Sequence, residues 1–183
     1  MPIRVYLAGP DVFLPFPRRH AAAQAAICAR YGLAGVSPLD PLPDEPTEWI
    51  SRGRATRIAL RNETHIRRCD AVIANLTPFR GPSADPGTVY EVGFARALGR
   101  PVFAYSTSAM DYAARVRLQH PDDGMEIEDF GLFDNLMLAC AIQESGGSMV
   151  HGNQGALAVF EKSVAEAARV LTDQEPGSTR RSS

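Results

Sequence analysis

Two stretches decide the fold: Ala71-Val72-Ile73-Ala74-Asn75-Leu76, and Thr88-Val89-Tyr90-Glu91-Val92-Gly93-Phe94-Ala95-Arg96-Ala97-Leu98, set just past the turn Asp85-Pro86-Gly87. The first is a short unbroken apolar run, as expected of a buried strand. The second is Ala-rich and stops at Gly99, as expected of a helix. Working outward, Ile3 to Ala8 is rich in β-formers and ends at Gly9-Pro10, giving a first strand. Pro17 to Tyr31 carries an alanine run, with Pro in its first turn and Gly32 past its end, the asymmetry of a helix. Leu33 to Ser37 is a second strand, and a Pro-rich segment, 38–46, follows it. A helix from about Gly53 to Arg68 places Ile58, Asn62 and Ile66 on one inward face and His65 on a solvated one. Pro101 to Tyr105 is a fourth strand, and Phe133 to Ile142 and Gln154 to Leu171 are helices. The polar stretch Ser106 to Asp129 reads as irregular, a lid or an interface arm. Strands alternating with helices imply an α/β protein, a doubly wound parallel sheet with helices on both faces. Right-handed crossovers leave few topologies, of which a flavodoxin-like order is the simplest. Residues 1–172 read as one domain and 173–183 as a disordered polar tail.

Composition narrows the partners. At 183 residues, with 45% hydrophobic and 22% charged residues, the chain has the make-up of a soluble globular domain. A net charge of −2 gives no reason to expect a nucleic acid polymer. Cys28, Cys69 and Cys140 are widely spaced and odd in number, which suits a reduced, cytoplasmic setting. The N-terminal apolar run is too short for a signal peptide, and no segment approaches the roughly 20 apolar residues of a membrane span. No spacing suggests a metal site.

The chemistry gathers at the strand-to-helix turn. In open α/β sheets ligands bind beyond the carboxyl ends of the strands. Asp85 and Glu91 flank such a turn, and paired carboxylates there suit chemistry at a glycosidic carbon. Each has a plainer reading. Thr88-Val89-Tyr90-Glu91 matches a capping box, with Thr88 as N-cap and Glu91 as its third-position partner. Asp85 suits an ordinary turn. On the functional reading the helix dipole favours the Glu91 carboxylate, ready to attack an electrophilic carbon. Asp85 then donates a proton or anchors a polar group, and Gly87 lets a ligand approach the backbone. Asn62 is a core amide or a ligand contact. Phe13, Phe16 and Trp49 offer flat apolar surface for a base.

Together these residues resemble the nucleoside 2-deoxyribosyltransferase family. The matching pieces are Tyr6-Leu7-Ala8-Gly9-Pro10 with Phe13, Asn62 in its helix, and Cys69 to Leu76. They continue through Pro78-Phe79-Arg80-Gly81, Asp85, Gly87-Thr88, Glu91-Val92-Gly93, Phe130-Gly131-Leu132 and Asn135 to Leu138. The resemblance implies a flavodoxin-like fold and exchange of the base of a 2′-deoxynucleoside for another purine or pyrimidine. It makes Glu91 the nucleophile that holds a covalent deoxyribosyl intermediate, and Asp85 the acid that assists the leaving base. It makes Tyr6 the residue that positions sugar and nucleophile. Gly9, Asp11, Phe13, Asn62 and Gly87 join the substrate-binding set. Asn135 would complete the site of a neighbouring subunit, so a homo-oligomer is implied. The implied partners are small 2′-deoxynucleosides and nucleobases, with no cofactor or metal. The family position often held by Asp is Asn62 here, which orients but cannot ionise.

Two alternatives share these residues. One is an N-glycosidase that uses Glu91 with water as acceptor on nucleosides or nucleoside 5′-monophosphates. The loop Gly9 to Pro15 argues against a phosphate, since it lacks hydroxyl and extra glycine donors, while Arg80 and Ser83 remain candidate contacts. The other is a non-catalytic nucleoside-binding module on the same fold.

Overall fold

A computed structural model describes residues 2–120 and 124–173; the expected tail beyond residue 173 lies outside them. Strands β1 (Ile3–Ala8), β2 (Leu33–Val36), β3 (Ala71–Asn75), β4 (Val102–Ser106) and β5 (Met149–His151) form one parallel sheet in the order β2-β1-β3-β4-β5. This is the expected flavodoxin-like order. The helices are α1 (Pro17–Arg30), α2 (Arg54–Arg67), α3 (Pro86–Ala97), α4 (Tyr112–Gln119), α5 (Leu136–Glu144) and α6 (Ala156–Asp173). None of the helices among the described residues is long and apolar enough to cross a membrane.

Two elements escape the sequence reading. β5 has three residues, too few for an apolar pattern, and exists because β4 offers a free edge to pair with. α4 lies inside the stretch expected to be irregular; Asp111 caps it by accepting from the Ala114 N–H at 2.7 Å.

The strands alternate between two cores, as parallel strands covered on both faces must. Val5, Leu7, Ala71, Ile73, Phe103 and Tyr105 pack with α1 and α6. Tyr6, Ala8, Val72, Ala74, Val102 and Ala104 turn the other way, onto Ile66, Val92, Ala95, Leu138 and Ile142. This alternation sends the Tyr6 side chain toward α3.

The Pro-rich segment 38–46 folds back over α2. Arg68 grips Asp44 through two hydrogen bonds of 2.6 and 2.7 Å, and Arg57 and Arg61 both hold Glu45. His65, expected in solvent, is buried beneath this cover with Nε2 3.2 Å from the Asp40 carbonyl oxygen. Burial pulls its pKa below the usual imidazole range, so the ring is neutral.

A second tie holds the loop between β3 and α3. Asp134 is fully buried and accepts from the Ser83 hydroxyl at 2.5 Å and the Ala84 N–H at 3.1 Å. Arg115, on α4, is buried beside it and donates to the carbonyls of Pro82, Met110 and Phe133, each at 2.6 Å. Its Nη2 lies 3.5 Å from the Asp134 carboxylate. A buried ion pair survives only when its remaining polar atoms are satisfied, as these are. Removing one partner strands the other. Asp134→Asn is therefore expected to destabilise the protein by about 3–5 kcal/mol in urea unfolding. Asp129→Asn, which breaks the exposed Arg117–Asp129 pair, should move the midpoint far less.

Candidate active site

The order of the sheet reverses between β1 and β3, so the loops leaving their carboxyl ends part and open a crevice. The crevice is a cleft of about 920 Å³. That is near the upper end of the roughly 300–1,000 Å³ usual for small-ligand pockets. Its walls include Gly9, Phe13, Asn62, Asp85, Gly87, Thr88 and Glu91.

Glu91 is the buried carboxylate of the cleft wall. The residue is 9% exposed. The fully buried Tyr6 hydroxyl donates to Oε1 at 2.6 Å, and Asn62 Nδ2 donates to the same oxygen at 3.2 Å. Oε2 is thus the oxygen not committed to a protein donor among the described residues. Burial drives the Glu91 pKa up to about 7; the Tyr6 and Asn62 hydrogen bonds pull it down and the Asp85 charge adds to the rise. Burial, with the Glu91 charge beside it, also holds the Tyr6 phenol well above its usual range, so Tyr6 remains a donor. Asn62 Oδ1 is buried without a partner among the described residues, an acceptor open to a ligand hydroxyl.

The capping box does not form. α3 begins a turn earlier than expected, at Pro86, which suits a first helical position. Asp85 is its N-cap, with Oδ2 accepting from the Thr88 N–H at 3.0 Å and the Thr88 hydroxyl at 3.2 Å. Glu91 is then in the second turn, beyond the reach of the dipole at the helix start. Its side chain is free to meet Tyr6, and burial rather than the dipole governs its charge. Gly87 lies in the first turn and leaves the cleft floor without a side chain.

The first loop is a 3-10 turn over Pro10–Phe13. A Cβ on Gly9 would meet Asn75 Cβ at 2.8 Å, so only glycine lets the chain turn here against β3. Asp11 does not line the cleft. Its carboxylate is turned inward, accepting from Asn75 Nδ2 at 3.0 Å and from Gln24 Nε2 and the Tyr105 hydroxyl at 3.3 Å, and it pins the loop to the sheet. Phe13 does line the cleft and stacks on Phe79 with ring centres 5.5 Å apart. The Arg80 guanidinium lies 4.7 Å from the Phe79 ring centre, and its backbone is left-handed at φ 56°. Phe16, 74% exposed, and Trp49 are not part of the wall; Ile50 and Ile58 supply the apolar surface instead.

Asn135 stands apart from this cleft. It caps α5 by accepting from the Met137 N–H at 3.0 Å and donates to Glu128 at 2.8 Å. It borders a separate groove with Ser83, Val92, Arg96 and Leu138. The residues the sequence reading missed are four arginines on the cleft wall, Arg18, Arg54, Arg57 and Arg61. The last three recur at helical spacing, which marks a common side of α2.

Comparison with known proteins gives the family. The sequence model of the family described as nucleoside 2-deoxyribosyltransferase matches residues 5–137, so the chain belongs to that family. Members are glycosyl-transferring enzymes whose substrates are nucleosides and nucleobases. The chain is 31% identical over 167 residues to the uncharacterized protein C191.05c of Schizosaccharomyces pombe, covering 78% of each. It superposes on a 2-desoxiribosyltransferase from Leishmania mexicana with a TM-score of 0.66 at 30% identity, covering 89% of this chain and 97% of that one. A conserved protein from Enterococcus faecalis V583 shares the fold, with a TM-score of 0.56 at 20% identity over 88% of this chain and 99% of that one.

The raised Glu91 pKa is a stability statement. The folded state favours the protonated acid, so the site's contribution is full below the unfolded value near 4.5 and is lost as pH rises through about 7. Glu91→Gln removes the charge and keeps an acceptor for Tyr6. At pH 8.5 it should be more stable than the parent by on the order of 1–3 kcal/mol in urea unfolding, with the gap closing toward pH 4.5. A gap that does not change with pH would contradict a buried carboxylate with a raised pKa.

Proposed function

We propose that the protein exchanges the base of a 2′-deoxynucleoside for another purine or pyrimidine, through a covalent deoxyribosyl ester on Glu91. The observation that carries this reading is the Glu91 carboxylate, buried in the cleft wall with Oε1 fixed by Tyr6 and Asn62. A nucleophile needs to be fixed, desolvated and partly free, and this one is all three.

In the first step Oε2 forms a bond to C1′ as the C1′–N bond breaks, and its electron pair goes to the base nitrogen. Asp85, at the cleft edge, hands a proton to the departing base. In the second step the nitrogen of another base attacks C1′, the ester bond breaks, and Asp85 takes the proton back. Two inversions give net retention. Asn62 orients the carboxylate and offers Oδ1 to a sugar hydroxyl, while Phe13 gives the base a ring to lie against. Asn135, outside the chain's own cleft, would act in the cleft of a second copy.

The test is incubation with deoxyinosine and cytosine, with products resolved chromatographically. Deoxycytidine and hypoxanthine are the expected products. Free hypoxanthine alone would mean that water is the acceptor and the protein is an N-glycosidase. Glu91→Ala should lower the rate roughly a thousandfold or more; an unchanged rate would overturn the nucleophile assignment.

The pH profile carries a second expectation. The nucleophile must be ionised, so kcat/KM should fall about tenfold per unit as pH drops below about 7. Tyr6→Phe removes a donor that favours the carboxylate. Its acid limb should move upward by about one to two pH units, given the strength of a hydrogen bond to a charged group. A limb that stays in place would show that Tyr6 does not tune Glu91.

A further inference from the structure

We propose that Phe79 and Arg80 are positioning residues: together they hold the Phe13 ring as a fixed platform for the base, so that binding follows the flat area of that base. The proposal rests on the reading of the cleft as a nucleoside site, and on the contacts of these three side chains for the rest.

Phe13 is 59% exposed and lines the cleft. A ring so exposed turns freely unless something holds it, and ordering it on binding lowers affinity. Its neighbours supply the hold. Phe79 stacks on it, with ring planes 14° apart and ring centres 5.5 Å apart. The Arg80 guanidinium lies 5.4 Å from the Phe13 ring centre and 4.7 Å from that of Phe79, close enough to attract both. Neither Phe79 nor Arg80 lines the cleft, so both meet Phe13 from outside it and leave its cleft side clear. The backbone points the same way. Arg80 is the one non-glycine residue with a positive φ among the described residues, at 56°. Glycine adopts this conformation more easily, and a side chain kept there needs a reason. The side-chain contacts of Arg80 among the described residues are those with the two rings.

The rings come from the two loops that part to open the crevice. Phe13 ends the 3-10 turn after β1, and Phe79 lies in the loop after β3. The stack therefore ties the loops to each other beside the cleft. The second loop is itself held from behind. The Phe79 N–H donates to the Ser83 carbonyl at 3.0 Å, closing a turn around Arg80. Asp134 accepts from the Ser83 hydroxyl, and Arg115 donates to the Pro82 carbonyl. The Phe79 backbone is thus anchored without help from Phe13, and what the stack passes to Phe13 is orientation. Stacking on an aromatic face strengthens with the flat area in contact. A platform fixed in angle therefore helps a two-ring purine more than a one-ring pyrimidine.

The experiment compares deoxyinosine with deoxyuridine as donor to saturating cytosine, in the parent protein and in variants of the two residues. Phe79→Leu keeps apolar bulk and removes the flat face. It should raise KM about fivefold to tenfold for deoxyinosine and about twofold for deoxyuridine, with kcat held within about twofold. Phe79→Tyr keeps the ring and should return KM to the parent value. Arg80→Gly suits the left-handed backbone and removes the guanidinium. It should raise the deoxyinosine KM about threefold with the urea midpoint unchanged, and Arg80→Lys should recover part of that loss. Equal KM increases for the two donors, a loss in kcat alone, or no rescue by Phe79→Tyr would mean that the stack only braces the loops, and would overturn the proposal. Calorimetric binding of both nucleosides to Glu91→Gln protein separates this outcome from failure of the catalytic reading. If neither donor loses its base, but adding Phe79→Leu still weakens deoxyinosine binding about fivefold or more, the platform stands and the Glu91 chemistry falls. Binding left unchanged by Phe79→Leu overturns the platform alone. If neither nucleoside binds, both readings fall.

Discussion

The 2.6 Å hydrogen bond from Tyr6 to Glu91 is the contact on which the rest of the site depends. It joins the first strand to the third helix across 85 residues of sequence. A carboxylate in so dry a place is costly unless donors meet it. Tyr6 is a good donor because it is itself buried in the core, with its ring rigidly packed and its hydroxyl the only polar atom it brings. Asn62 completes the arrangement from a third element, α2. Three elements thus converge on one oxygen atom.

That convergence sets opposing forces against each other. Burial raises the Glu91 pKa, and the two donors lower it. The result lies near neutrality, which on the proposed reading keeps an attacking anion accessible without fully solvating it. A fully solvated glutamate would hold its charge easily and attack poorly; an undonated buried one would stay protonated. The fold also bears a stability cost at alkaline pH for keeping this acid, the usual relation between a strained site and the scaffold around it.

The scaffold acts through ties rather than through the sheet alone. Asp134 and Arg115 clasp the loop that delivers Asp85, and this gives the segment around α4 a structural task. Asp11 performs the same service for the first loop, from behind the cleft. Glu45 secures the cover over α2 and spaces the arginines of the wall. Each tie is a charged group made tolerable by several hydrogen bonds, and each holds an element that borders the cleft.

The sequence by itself determined the parallel α/β architecture, because apolar runs such as Ala71 to Asn75 and the helices between them are local patterns with only one good way to pack. It also determined the carboxylate pair, since Asp85 and Glu91 stand six residues apart at one strand-to-helix junction. Only the tertiary structure decided where each falls in the helix that follows. Asp85, not Thr88, caps α3, because Pro86 can open the helix and the capping box is a pattern that two registers satisfy. Likewise His65 is buried by a segment distant in sequence, Asp11 faces the core rather than the cleft, and β5 is too short to signal itself. The pKa of Glu91 was the least legible property of all. It depends on the water excluded by the whole fold and on two donors 85 and 29 residues away, and no local pattern encodes either.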